Sequence, residues 1–129
     1  MYELMVEESF SAAHQLKGYE GECAELHGHN FKVQVFVKTE KLNELGLVID
    51  FRCLRTKLKK ILDKLDHKYL NELPIFKDQN PTSENLACFI YERLLQQLEG
   101  VPLAQVKVWE SETACVIYTS NIPSGSESV

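Results

Sequence analysis

The hydrophobic period changes twice along this chain, and that change restricts the fold more than any other feature. From Tyr2 to His14, the residues Leu4, Val6, Phe10 and Ala12 share one parity, with Glu3 and Glu7 on the other. Phe31, Val33, Val35 and Val37 then alternate with Lys32, Gln34 and Lys38. Period two is the signature of a half-buried strand. After Asp50 the spacing turns helical. Leu54, Leu58, Ile61, Leu62 and Leu65 form a stripe, with Arg55, Lys57, Lys59, Lys60 and Lys64 between them. Asp50 suits the N-cap position of that helix. A second stripe, Leu86, Ala87, Ile90, Leu94 and Leu98, follows a cap at Thr82 or Ser83 and stops before Gly100 and Pro102. Period two returns at Val106 and Val108 and again from Cys115 to Thr119, with a short turn at 111–114. Residues 15–26 and 66–81 read as loops.

This ββααββ order predicts an α+β domain with an antiparallel four-stranded sheet and two helices on one face. A small sheet with open edges invites pairing with another copy, so an oligomer is expected. The 129 residues suit one domain, placed at 1–121, with the polar tail 122–129 expected to be disordered. Fourteen Lys and Arg against nineteen Asp and Glu give a net charge of −5, which argues against a nucleic-acid partner. No apolar run approaches the roughly 18 residues of a membrane span. The start, Met1-Tyr2-Glu3-Leu4, lacks the marks of a signal peptide, so a cytoplasmic location is expected. Cys23, Cys53, Cys88 and Cys115 form no C-x-x-C pair. They read as free thiols, most of them buried fillers.

The chemistry concentrates in four histidines. In His27-Gly28-His29, residues two apart on a strand face the same way, about 6.6 Å apart along it. His14 ends the first strand, and hairpin pairing would bring it to the pair. Three imidazoles with an open fourth position describe a catalytic zinc site. Cys23, four residues before His27, leaves three readings open: a fourth ligand closing a structural zinc site, a buried filler, or a reactive thiolate beside a cation. Asp66-His67 follows the first helix and can act with Cys23 as a proton relay, or be a solvated loop. Glu110 extends the stripe of Val106 and Val108, where a carboxylate is costly unless paired. It could hold the N–H groups of a planar heterocycle, and Glu112 shares its parity on a straight strand. Glu84 falls where it would favour a helix N-terminus. G-x-G-x-x-G, Walker A, H-E-x-x-H and G-x-S-x-G are all absent.

Six pieces in order resemble the 6-pyruvoyl-tetrahydropterin synthase family. They are Phe10-Ser11-Ala12-Ala13-His14, Cys23-Ala24-Glu25-Leu26-His27-Gly28-His29-Asn30, Val48-Ile49-Asp50-Phe51, Leu65-Asp66-His67, Pro81-Thr82-Ser83-Glu84-Asn85 and Val106-Lys107-Val108-Trp109-Glu110. The resemblance implies the tunnelling fold, a barrel-like oligomer, commonly a hexamer built as a dimer of trimers, with active sites at subunit interfaces. It implies His14, His27 and His29 as zinc ligands. Cys23 is implied as the catalytic thiolate base, with Asp66 and His67 as its relay. Glu110 is implied as the anchor of the pterin edge, and Thr82, Ser83 and Glu84 as lining of the pterin pocket. The implied substrate is 7,8-dihydroneopterin triphosphate. Its triphosphate needs a basic patch, for which Lys17, Lys68 and the lysines of the first helix are candidates.

The three-residue spacer between Cys23 and His27 resembles the family's carboxy branch, the 6-carboxy-5,6,7,8-tetrahydropterin synthases of queuosine biosynthesis. The presence of Cys23 argues against relatives that replace this thiol and act as aldolases. The expected function is a zinc-dependent lyase giving 6-carboxy-5,6,7,8-tetrahydropterin, acetaldehyde and triphosphate. The alternatives are the pyruvoyl branch, a non-catalytic module with Cys23 closing a structural zinc site, and a metal-free Cys23–His67 hydrolase.

Overall fold

A computed structural model describes residues 1–18, 20–21 and 24–120. Cys23 and the tail expected at 122–129 lie outside the described residues. Strands β1 (Tyr2–His14) and β2 (His27–Thr39) form a long antiparallel hairpin. Helix α1 (Phe51–Leu62), a short strand β3 (Lys68–Tyr69) and helix α2 (Ser83–Gln97) follow. Strands β4 (Leu103–Ser111) and β5 (Ala114–Tyr118) close the chain.

Each alternating stretch became a strand with its apolar parity inward. Val6, Phe10 and Ala12 of β1 are buried, as are Phe31, Val33, Val35 and Val37 of β2 and Val106 and Val108 of β4. The helical stripes cover that same face. Leu54, Leu58, Ile61 and Leu62 of α1 and Leu86, Ala87, Ile90 and Leu94 of α2 join them in one core. Asp50 caps α1, its side chain accepting from Arg52 N at 2.7 Å. Of the two candidate caps, Thr82 is the one used for α2, its hydroxyl accepting from Asn85 N at 3.0 Å. Gly100 takes φ +70° just past α2, a left-handed turn that glycine adopts without a Cβ clash.

The sheet has five strands, in the order β3-β1-β2-β4-β5, where the sequence suggested four. The added strand lies in the stretch read as a loop. Lys68 and Tyr69 run parallel to Ala12 and Ala13. A two-residue strand has no alternation to detect, so backbone pairing alone reveals it. The rest of that stretch holds two single 3₁₀ turns, Leu70–Glu72 and Pro74–Phe76. A second difference concerns the thiols: Cys53 is exposed and Cys88 and Cys115 are half-buried, so none of these three fills the core. No helix among the described residues is long and apolar enough to cross a membrane.

Candidate active site

The register of the β1–β2 hairpin builds the histidine cluster. His14 pairs directly with His27, and Ala12 with His29. All three imidazoles share the core-facing parity at the loop end of the hairpin. Glu110 reaches them from β4, two residues past Val108. Ligand atoms from His14, His27, His29 and Glu110 all lie within 4.8 Å of one another.

Backbone carbonyls fix the orientation of two of these rings. His14 Nδ1 donates to Pro81 O at 2.7 Å, and His27 Nδ1 donates to Glu25 O at 2.7 Å. A carbonyl only accepts, so each Nδ1 carries the hydrogen and each neutral ring presents a bare Nε2. Those two Nε2 atoms are 2.9 Å apart. Two lone pairs at that separation repel unless a proton or a cation lies between them. Burial pushes the His14 pKa below its ordinary 6.5. The Pro81 carbonyl and Glu110 oppose that shift, while His27 and His29 add to it. His14 is 1% exposed, so its neutral form is favoured and a proton is the poorer bridge.

His29 supplies a third unspent nitrogen. Its Nε2 is buried and has no hydrogen-bond partner among the described residues. Glu110 Oε1 lies 2.8 Å from it, close enough for an ion pair if the ring carries a proton. Three imidazole nitrogens and a carboxylate, two of the rings braced by carbonyls, fit a divalent metal with nitrogen and oxygen donors.

Glu110 owes its aim to an irregularity. The β4–β5 register shifts between Trp109 and Ser111, a bulge centred on Glu110. Bulges re-aim side chains. Because the strand does not run straight, Glu112 leaves it and sits exposed in the two-residue turn before Ala114. The parity that made the two acids rivals therefore fails, and Glu110 alone faces the cluster. Its Oε2 accepts from Ser83 Oγ at 2.8 Å. Ser83, Glu84, Glu110, Ala114, Cys115 and Val116 line a pocket of about 140 Å³ beside the histidines. Thr82 lies next to this pocket in sequence and spends its hydroxyl on the helix cap.

Asp66 and His67 sit in a different setting. Asp66 Oδ1 accepts from Ser11 N at 2.8 Å, and His67 N donates to Ser11 O at 2.6 Å. These two bonds lock the corner onto β1 just before β3 begins. The Ser11 N–H, helped by His67, holds the Asp66 carboxyl below its ordinary 3.8, against a smaller effect of burial. His67 Nδ1 lies 3.0 Å from Asp66 Oδ2. His67 has φ +57°, the left-handed region that a non-glycine residue seldom enters. Its side chain is 81% exposed. It stands over a groove of about 490 Å³ lined by Ser11, Ala13, Gly28, His29, Asn30 and Lys68, among others. Ser11, Ala13, Gly28 and Asn30 have the parity opposite to His14 and His27, so this groove opens mainly on the sheet face away from the helices. Lys68 lines this groove and Lys17 lines a separate polar one with Lys77 and Asn80.

The sequence reading missed the residues that brace the loop after His14. Asn71 Oδ1 accepts from Gln15 N, and Asn71 Nδ2 donates to Gln15 O, both at 2.8 Å. Asn80 makes the same two-point contact with the backbone of Lys17, again at 2.8 Å for each bond. Gln15 Nε2 donates to Ala24 O at 2.8 Å. Asparagines in a loop are ordinary turn formers, and nothing in their spacing signals such pairings.

The sequence model of the family described as 6-pyruvoyl tetrahydropterin synthase matches residues 3–121. The chain belongs to this family. Relatives in the 6-pyruvoyl tetrahydropterin synthase family bear three different activity names. A 6-carboxy-5,6,7,8-tetrahydropterin synthase of Synechocystis is 40% identical over 126 residues, covering 93% of this chain and 95% of that protein. A dihydroneopterin monophosphate aldolase of Pyrococcus furiosus is 41% identical over 103 residues, covering 79% and 83%. The solved structure of Caenorhabditis elegans 6-pyruvoyl tetrahydropterin synthase superposes with a TM-score of 0.85 at 28% identity, covering 93% of this chain and 96% of that one. The two-helix, five-strand α+β architecture is thus the family's own.

Proposed function

We propose that this chain is a zinc-dependent lyase that converts 7,8-dihydroneopterin triphosphate and water to 6-carboxy-5,6,7,8-tetrahydropterin, acetaldehyde and triphosphate. The observation that carries the reading is the cluster of three inward imidazoles with Glu110 beside them. The 40% identity to a 6-carboxy-5,6,7,8-tetrahydropterin synthase along 93% of the chain supports the choice of reaction.

Zinc, held by His14, His27 and His29, would supply a Lewis acid that polarises a side-chain oxygen of the substrate. Glu110 and Ser83 would bind the amino-pyrimidinone edge, a carboxylate being the natural acceptor for its paired N–H groups. Thr82 and Glu84 flank that edge at the start of α2. Cys23 would take a proton from the substrate side chain. Asp66 would hold the Nδ1–H of His67, leaving Nε2 to accept or return protons. The catalytic unit is residues 1–121, with 122–129 as a polar tail, and a cytoplasmic setting is proposed with it.

The assembly is part of the proposal. A pocket of about 140 Å³ falls short of the roughly 300 Å³ expected of a ligand site, so a second copy would supply the missing wall. β3 covers only Ala12 and Ala13 of β1, which leaves the earlier edge of β1 and the outer edge of β5 open for pairing. A ring closed through these edges, two rings making a hexamer, would let His67 of one copy serve Cys23 of another.

The test is mass spectrometry of products from zinc-loaded protein and 7,8-dihydroneopterin triphosphate, with no reductase added. 6-Carboxy-5,6,7,8-tetrahydropterin with acetaldehyde is the expected result. 6-Pyruvoyl-tetrahydropterin would assign the pyruvoyl reaction instead. Cleavage of the monophosphate but not the triphosphate would assign the aldolase reaction. No turnover by a zinc-replete oligomer would overturn the catalytic reading.

A further inference from the structure

The histidine cluster and one polar groove draw on the same two stretches of chain. His14 runs on to Lys17, a span of at most about 11 Å between their Cα atoms. Pro81, whose carbonyl braces His14, directly follows the stretch from Lys77 to Asn80. Asn80 ties the two stretches together, accepting from Lys17 N and donating to Lys17 O, each at 2.8 Å. Lys17, Lys77, Asp78 and Asn80, among others, line a groove of about 290 Å³. Among the described residues neither ammonium is in an ion pair, with Asp78 or with any other carboxylate. The other candidate cations border different surfaces. Lys68 lines the groove that opens mainly on the sheet face away from the helices. Lys64, just past α1, borders a small apolar groove with Leu73 and Phe89.

We infer that Lys17 and Lys77 form the cradle for the substrate's triphosphate and so select phosphorylated pterins. This rests on the substrate reading above and deepens it. The phosphates hang from the last carbon of the same short side chain whose hydroxyls face the metal, so their site must lie within one short arm of His14. A triphosphate spreads its charge over linked groups, and two cations from separate stretches meet it at more than one point. The Asn80 clamp fixes the backbone of Lys17, so less freedom is lost when its side chain takes hold of the anion. Asp78 shares the groove and repels the anion, which moderates the grip on the triphosphate released as product.

The test has a binding arm and a kinetic arm. Zinc-loaded wild type, Lys17→Ala, Lys77→Ala and Asp78→Asn are titrated with inorganic triphosphate by calorimetry. Bound zinc is measured before and after, so that chelation is not read as binding. Each lysine variant should bind at least about fivefold more weakly and Asp78→Asn more tightly, and added salt should weaken the wild type most. With 7,8-dihydroneopterin triphosphate, each lysine variant should raise KM at least about fivefold and change kcat by less than about twofold. Lys17→Arg keeps the charge and should recover most of the affinity lost in Lys17→Ala. Lys60→Ala removes an exposed charge on α1 and should alter neither readout. Wild-type affinity and KM in both lysine variants would overturn the cradle and leave the reaction standing. Equal weakening by Lys60→Ala would also overturn it, in favour of a diffuse field set by net charge. Weakened triphosphate binding in the lysine variants, beside a wild type that turns over no pterin, would uphold the anion cradle and overturn the reaction instead.

Discussion

The histidine cluster and the Asp66–His67 corner flank the same end of β1, yet they are built in opposite ways. The cluster is inward, buried at His14, and braced from within one chain by the carbonyls of Pro81 and Glu25. The corner is locked at its backbone by Ser11 but presents an imidazole that is 81% exposed. One chain thus completes the first region and leaves the second facing outward. On the proposed reading, metal binding is a property of the single chain and turnover a property of the assembly.

The largest effect should come from the buried side of this contrast. His14→Ala removes a ligand, strands the Pro81 carbonyl and opens a cavity at the end of the sheet. Metal affinity should fall by at least about 100-fold, read by metal content after gel filtration. Stability should fall by roughly 2–4 kcal/mol, read by denaturant melts. A variant that keeps its metal and its stability would remove the basis of the comparison.

The next effect tests the outward side. Cys23→Ala and His67→Ala should each keep metal and lose about 100-fold or more in turnover. If each site draws on two copies, unfolding, mixing and reassembling the two inactive variants should restore activity. Mixtures as inactive as their parents would place both residues in a site of one chain. Loss of zinc and of melting temperature in Cys23→Ala would instead favour the closed structural site.

The two regions also differ in pH window. The folded pKa of His14 lies below 6.5, so the unfolded chain binds the extra proton first as pH falls. Metal-free protein should therefore lose stability as pH drops below about 6.5. The folded pKa of Asp66 lies below 3.8, so its contribution is intact above that value and lost as pH falls through the folded pKa. Denaturant melts from pH 8 to pH 3 should show a loss below about 6.5 that His14→Gln removes. A loss confined to pH below 4 in the parent chain would contradict this assignment.

What the sequence made legible follows the same divide. Period-two spacing put His27 and His29 on one face, and hairpin logic brought His14 opposite His27, because side-chain parity is what alternation records. Glu110 was legible through Val106 and Val108, but its separation from Glu112 was not, since a bulge breaks parity without leaving a mark in composition. β3, the Pro81 and Glu25 carbonyls and the Asn71 and Asn80 clamps were illegible for a related reason. Each has a backbone group as at least one partner, and every residue carries such groups alike.

A smaller effect separates strain from function at the corner. His67 holds φ +57° with its side chain in solvent, so His67→Gly relieves strain and gives up little packing. It should raise stability by about 0.5–1 kcal/mol in thermal melts while reducing turnover. A gain in stability with full activity would mean that the strained geometry serves the turn alone.

The smallest effect concerns Glu84, which both regions leave nearly untouched. It is exposed in the first turn of α2, where a carboxylate favours the helix N-terminus by about 0.3–1 kcal/mol. It also lines the pocket beside Glu110. The two roles predict different losses in Glu84→Gln. A purely helical role costs that fraction of stability, shrinks with added salt and leaves KM unchanged. A pterin contact raises KM several-fold with little change in melting temperature. Ser83 joins Glu110 and Thr82 caps the helix, and among the described residues no hydrogen bond or ion pair fixes the position of Glu84. The helical outcome is expected, with KM within about twofold of the parent chain. A larger rise in KM would extend the pterin site along the first turn of α2 and make Glu110 one of two acids that recognise the ring.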